Sequence, residues 1–188
     1  AQLIAVVDGA VWVSRFPFEV WTNAGDLMYR FARRMHFCRA EQSVKRNADD
    51  SLTLLDAPLP VLVIQDGVSP PLVWNGYVAE RQTGPDAIPQ GTCMVWSGHR
   101  LWVARDNWVF ASDFANPYSF VERFYLGGMD SLLAPGRVTA MAEIEGTGDP
   151  QLLVFTDSKT IAVQSNILNR ELWVETPNFA RTLFPNVG

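Results

Sequence analysis

Few of the residues that carry chemistry in proteins stand at spacings that let them do it in this chain. There are two histidines, His36 and His99, and two cysteines, Cys38 and Cys93. Two thiols this far apart offer no zinc-ligand spacing and no disulfide framework, and a reducing compartment is their ordinary setting. His99 falls in a tight turn, the place of a solvated or internally satisfied imidazole. No Gly-x-Ser-x-Gly elbow is present, and no Gly-x-x-x-x-Gly-Lys-Ser/Thr loop cradles a phosphate. Asp49-Asp50 lacks the alternating carboxylates of a calcium loop. A glycosidase needs two carboxylates placed across a sugar. Asp8, Asp66, Asp113, Glu122 and Asp157 qualify by type, but Asp8, Asp66 and Asp157 belong to turns and Asp113 to the exit from a strand. The residues therefore point away from an enzyme, with no catalytic, cofactor-binding or metal-binding position expected.

Two surface features remain. Arg30, Arg33, Arg34, Arg39, Lys45 and Arg46 cluster in a chain of net charge −5. They form either a solvated strand face and loop, or a contact set that meets acidic residues of a neighbouring subunit or DNA phosphates. The seven tryptophans divide by position. Trp96, Trp102 and Trp108 lie inside apolar runs, where packing absorbs them. Trp21 and Trp74, near strand ends, are the candidates for exposure and for stacking on a glycan.

The elements that position these residues are short strands. Of 188 residues, 48% are hydrophobic and 19% charged, which excludes a disordered chain. Eleven Phe and seven Trp alongside thirteen Gly and twelve Pro indicate many strands joined by tight turns. The acidic balance argues against a nucleic-acid grip made of dense Lys and Arg, though not against a conduit in which DNA must not stick. No apolar run approaches the roughly 20 residues of a membrane-spanning helix. The chain opens on Ala1 with no signal-peptide pattern, as a processed product or a piece of a longer chain would.

Cys93–Phe120 shows the plan most clearly. Cys93–Trp96 ends at Ser97-Gly98. Arg100–Ala104 then places Leu101 and Val103 on one face and Trp102 and Ala104 on the other. After the turn Arg105-Asp106-Asn107 comes Trp108–Ala111, completing a three-stranded meander. The unit LIAVV-DG-AVWVS recurs as VLVIQ-DG-VSPPLVWN, CMVWS-GH-RLWVAR and LLVFT-DS-KTIAVQ, with turns near 8, 66, 98 and 157. The unequal spacing implies insertions or a further unit near 30–45. Glu19–Thr22 reads as an edge-like strand and Met35–Ala40 as a strand, whereas Asp26–Arg33 suits strand and helix alike. Gln42–Pro60 reads as a long loop and Glu80–Pro89 as a linker. Val121–Leu126, Val138–Ile144 and a last strand at Leu172–Glu175 complete the series. Repeats of about 40–45 residues with four strands each predict an all-β, β-propeller-like array of antiparallel four-stranded blades, incomplete in this chain. A β-sandwich is the alternative. Residues 1–60 would hold a first blade plus the long insertion, and residues 61–188 the further blades of one continuous domain.

The series VIQDGVSPPLVWNG, AIPQGTCMVWSGHRLWVARDNWVFASDFANPYSF and PQLLVFTDSKTIAVQ, closing with RELWVETPNFARTLFPNVG, resembles propeller-type tail tube or nozzle proteins of short-tailed bacteriophages. In Gly98–Ala104 and Asn107–Phe120 it matches that family's second strand, third strand and NPxSF exit, with His99 inserted before Arg100. The likeness covers Val61 to Gly188, with Leu3–Ser14 fitting more loosely. It implies a virion structural protein, assembled in the host cytoplasm. That protein would form a ring of copies of itself beside other tail and connector proteins, with genomic DNA in transient passage. Such a propeller needs more blades than this chain supplies. A carbohydrate-binding propeller for host-receptor attachment is the second expectation, and a propeller hydrolase the third.

Overall fold

Apolar runs on either side of a Gly- or Asp-containing turn fold back on each other as antiparallel hairpins, and the hairpins join into four meanders. The computed structural model describes residues 1–24, 34–121, 131–144, 151–167, 169–170 and 172–185. The first sheet holds β1 (Gln2–Val7), β2 (Ala10–Arg15) and β3 (Trp21–Asn23); the second holds β4 (His36–Arg46), β5 (Leu52–Gln65), β6 (Leu72–Trp74) and β7 (Ala79–Arg81). The third comprises β8 (Cys93–Ser97), β9 (Arg100–Arg105), β10 (Trp108–Ala111) and β11 (Ser131–Leu133), and the fourth β12 (Val138–Ile144), β13 (Gln151–Thr156), β14 (Lys159–Gln164) and β15 (Ala180–Pro185). Within every sheet the strands lie in chain order. Among the described residues a helical turn, α1 (Leu172–Glu175), precedes β15.

The turn residues account for the hairpins. Asp8 and Gly9 take φ of 49° and 77°, and Gly98 and His99 take 56° and 59°. A two-residue loop with both φ values positive has the twist that matches paired strands. At Gly98 the absence of a side chain matters twice, because a Cβ there would run into the backbone carbonyl of Ser165, just past β14.

Strand alternation then distributes the apolar residues into three cores. Val11, Val13, Ile4 and Val6 of the first sheet pack against Ile64, Leu72 and Trp74 of the second. Val61, Val63 and Val73 meet Leu101 and Val103 of the third sheet. Trp102, Ala104 and Val109 meet Leu152, Val154, Ile161 and Val163 of the fourth. The two faces expected for Arg100–Ala104 are therefore the two faces found. Across sheets, the closest backbone approaches run from β4 to β8 and from β8 to β12, so the first strands of three successive sheets stand side by side. The chain is thus all-β, four antiparallel sheets of three or four strands in a blade-like arrangement.

Several expectations change. Gln42–Pro60 is no loop: it forms the outer part of the β4–β5 hairpin, with Gln42 opposite Leu59 and Arg46 opposite Leu52. Asn47 closes its tip by donating to the Ser51 carbonyl at 2.9 Å and, through its side chain, to Thr53 Oγ1 at 2.8 Å. Pro58 and Pro60 are tolerated because β6 pairs only with Leu62–Ile64, leaving that stretch of β5 as an edge. The division at residue 60 falls inside β5. Part of the expected linker Glu80–Pro89 belongs to β7. Leu172–Glu175 is helical, and the last strand is Ala180–Pro185. The repeat also shifts register. The turns at Asp66 and Asp157 join second to third strands, and the equivalent turn in the third sheet is Asp106, not Gly98. The ambiguous Asp26–Arg33 stretch, most of Val121–Leu126, and Glu122 lie outside the described residues.

Candidate functional site

The basic cluster is divided by the fold. Arg30 and Arg33 lie outside the described residues. Arg34 is exposed just before β4, and Arg39 and Lys45 are exposed on β4, with Glu41 between them. Arg46 is half-buried and held within the chain, 3.5 Å from Asp113 and 3.6 Å from Asp50. It anchors the outer hairpin to the turn after β10. Ser43 and Val44 donate their backbone N–H groups to the Ala115 carbonyl at 2.8 and 3.1 Å in the same place. Of the possible contact residues described, Arg46 is the one that makes ion pairs inside the chain.

The glycan candidates also separate. Trp21 is 43% exposed, but Trp74 is only 5% exposed, with its indole N–H donated to Gln2 Oε1 at 2.9 Å. Trp74 is a core residue, because β1 and β2 cover the face of β6 that carries it. Trp108, expected inside, is 42% exposed on β10. Trp21 and Trp108 belong to different sheets. A cleft of about 340 Å³, lined by Pro70, Pro71, Pro85, Pro89, Arg105 and Phe110 among others, has no tryptophan in its walls.

The most concentrated polar chemistry lies between the third and fourth sheets, among residues the sequence reading did not single out. Arg100 is fully buried and donates to the Ser112 carbonyl at 2.7 Å. Arg170 donates to the carbonyls of Ala111 and Ser112 at 2.8 and 3.0 Å. Both guanidinium groups lie over the ring of Trp173, at 5.4 and 4.8 Å. Trp173 in turn stacks on Trp102 and Phe179, with centroids 5.5 and 4.8 Å away. Ser97 and Ser165 share a 2.7 Å hydroxyl hydrogen bond beside them. Buried charge is retained only with dense hydrogen bonding and aromatic faces around it, and this group supplies both. Its chemistry is that of a clamp between sheets. The signal in the sequence was the Arg that opens β9, read only as a strand start.

The acidic and thiol groups behave structurally. Asp113 Oδ2 accepts from Ser119 Oγ at 2.5 Å, which ties the strand exit to the following turn. Asp66 accepts from the backbone N–H of Ser69 and Val68 at 2.7 and 2.9 Å. Burial acts to raise the Asp66 carboxyl, but these bonds outweigh it and hold the group below its ordinary value. Burial pushes the Cys38 thiol up to about 12, against a backbone bond at Trp96, and also raises that of Cys93. Thiols held protonated are poor nucleophiles. Among the described residues no three His, Cys, Asp or Glu side chains gather as a metal site. No described helix is long and apolar enough to cross a membrane. Comparison of the chain with protein-family models, with curated proteins and with solved structures finds no match.

Proposed function

We propose that this chain is a structural component of a phage tail, part of a propeller-built tube or nozzle ring through which the genome leaves the particle. The observation that carries the reading is the side-by-side row of first strands, β4, β8 and β12, from which the remaining strands fan outward. Blades of a propeller converge on their axis in this way. The resemblance of Val61–Gly188 to propeller-type tail proteins of short-tailed phages supports the same conclusion. So does a buried side chain spent on holding sheets together: Arg170, after β14, bonds the Ala111 and Ser112 carbonyls at the end of β10. The mechanism would be geometric. Rigid sheets hold a lumen open, and an acidic balance of charge lets the DNA backbone slide. Exposed Glu41 stands between Arg39 and Lys45 on β4, and Glu143 is exposed on β12.

The test is the assembly state of the natural full-length product, by mass photometry and electron microscopy of particles and virions. A closed ring with a lumen, or density for the chain inside a phage tail, is expected. A stable monomer absent from virions overturns the reading.

A further inference from the structure

We propose that Asn75-Gly76, in the turn between β6 and β7, is a self-modifying site, where the chain's own backbone displaces the Asn75 side-chain amide and leaves a carboxylate. The turn brings together what this reaction needs: a nucleophile, a polarised carbonyl and water.

The nucleophile is the Gly76 peptide nitrogen. β6 and β7 pair through Trp74 and Ala79, and the turn closes with the Asn75 N–H donating to the Val78 carbonyl at 3.2 Å. Among the described residues the Gly76 N–H donates to nothing. Gly76 has no side chain to hinder attack, and a Cβ built there would meet no atom within 4 Å. Its φ of 95° is one that residues with a side chain rarely adopt.

The carbonyl is that of the Asn75 side chain. Oδ1 accepts from the backbone N–H of Tyr77 at 3.0 Å and of Val78 at 2.9 Å. The first of these bonds folds the side chain back over the Gly76 peptide, as asparagine does in turns. Both donors stand where negative charge develops on Oδ1 once Cγ is attacked, which is the arrangement of an oxyanion hole. Asn75 is exposed and Tyr77 is 82% exposed, so water reaches the turn.

The reaction balances with water as its one co-reactant. Hydroxide takes the Gly76 N–H proton, and the nitrogen forms a bond to Cγ as the carbonyl electron pair moves to Oδ1. That pair returns as the Cγ–Nδ2 bond breaks, and Nδ2 takes a proton from water and leaves as ammonia. The resulting five-membered succinimide adds water at one of its two carbonyls. One opening gives an aspartyl residue, the other an isoaspartyl residue whose main chain runs through the side chain.

Other asparagines lack one of these parts. Asn116 makes the same kind of turn, with Oδ1 accepting from the Tyr118 N–H at 3.2 Å, but Pro117 follows it and has no N–H to attack with. Asn47 and Asn107 precede Ala48 and Trp108, whose side chains crowd the nitrogen. Modification at position 75 also reaches the neighbouring sheet. The Gly76 carbonyl accepts from Gln2 Nε2 at 3.0 Å, and Gln2 Oε1 accepts from the Trp74 indole. An isoaspartyl link lengthens the turn by one backbone atom and draws that carbonyl away from β1.

The test follows the folded full chain at mildly alkaline pH over weeks, by peptide mapping with mass spectrometry and isoaspartyl methyltransferase labelling. The amide-to-acid mass gain is expected at position 75 ahead of Asn47 and Asn107. Gly76→Ala is expected to slow it at least about tenfold, a barrier rise of about 1.4 kcal/mol. A folded chain that stays unmodified while the chain in guanidinium chloride converts shows that the turn protects Asn75, and overturns the proposal. Conversion at Asn47 or Asn107 as fast as at position 75, or a rate that Gly76→Ala leaves unchanged, overturns it too. The isoaspartyl fraction, separated by ion exchange, is expected to show faster hydrogen exchange in β1; unchanged exchange overturns the link to the first sheet.

Discussion

The third sheet and the first are built from the same kind of strand and end in opposite environments. In β9 every residue from Arg100 to Ala104 is buried, with Leu101 and Val103 against one neighbouring sheet and Trp102 and Ala104 against the other. In the first sheet Ile4, Val6, Val11 and Val13 are covered, while Leu3, Val7 and Trp21 on the other face are 47%, 58% and 43% exposed. The strands AVWVSR and RLWVAR differ little in composition. What differs is the number of neighbours. A strand in a stack of sheets becomes core on both faces only when a sheet stands on each side, so burial here follows position in the stack.

That contrast is open to measurement. The largest effect is expected at Trp102, stacked on Trp173 at the centre of the third core. Trp102→Ala is expected to cost about 3–5 kcal/mol in denaturant unfolding, whereas Leu3→Ala stays within about 0.5 kcal/mol in the monomer. Equal losses at the two sites would erase the distinction. Gly98→Ala comes next, because its methyl group meets the Ser165 carbonyl and its φ is 56°. A loss of roughly 1–3 kcal/mol is expected. The equivalent change at Gly76, where a Cβ meets nothing, isolates the backbone contribution, since its φ is also positive at 95°.

Asp66→Ala is expected to cost about 1–3 kcal/mol by leaving the N–H groups of Val68 and Ser69 unsatisfied. The carboxyl lies below its ordinary 3.8 when folded, so its stabilisation is complete above 3.8 and is lost as pH falls through the folded value. An acid-unfolding curve that Asp66→Asn leaves unchanged below pH 3.8 would contradict this. The smallest effect concerns His36, whose pKa lies below 6.5, first through burial and then through Arg34. The unfolded chain takes up that proton more readily. Stability at this position is therefore full above 6.5 and declines as pH drops through the folded value. His36→Gln is expected to flatten that part of the pH–stability curve.

Much of the architecture was legible locally. Alternation in VLVI, RLWVA and LLVF marked strands, and Asp-Gly and Gly-His marked hairpins, because side-chain period and backbone φ are properties of neighbouring residues. The site was much less legible. Trp74 and Trp108 have similar local surroundings in the sequence, yet only Trp74 has another sheet over it. Arg46 looked like any other member of a basic cluster until the turn after β10 brought Asp113 beside it, across 67 residues of sequence.

The sequence alone therefore determined that this is an all-β chain of short antiparallel hairpins. Tertiary structure decided which hairpins are equivalent, moving the third turn of the repeat from Gly98 to Asp106. It turned the polar Gln42–Pro60 stretch into a paired arm. The physical reason lies in the range of the interactions. Pleat and turn are set over two to four residues, whereas the strand that pairs an edge and the sheet that covers a face come from elsewhere in the fold.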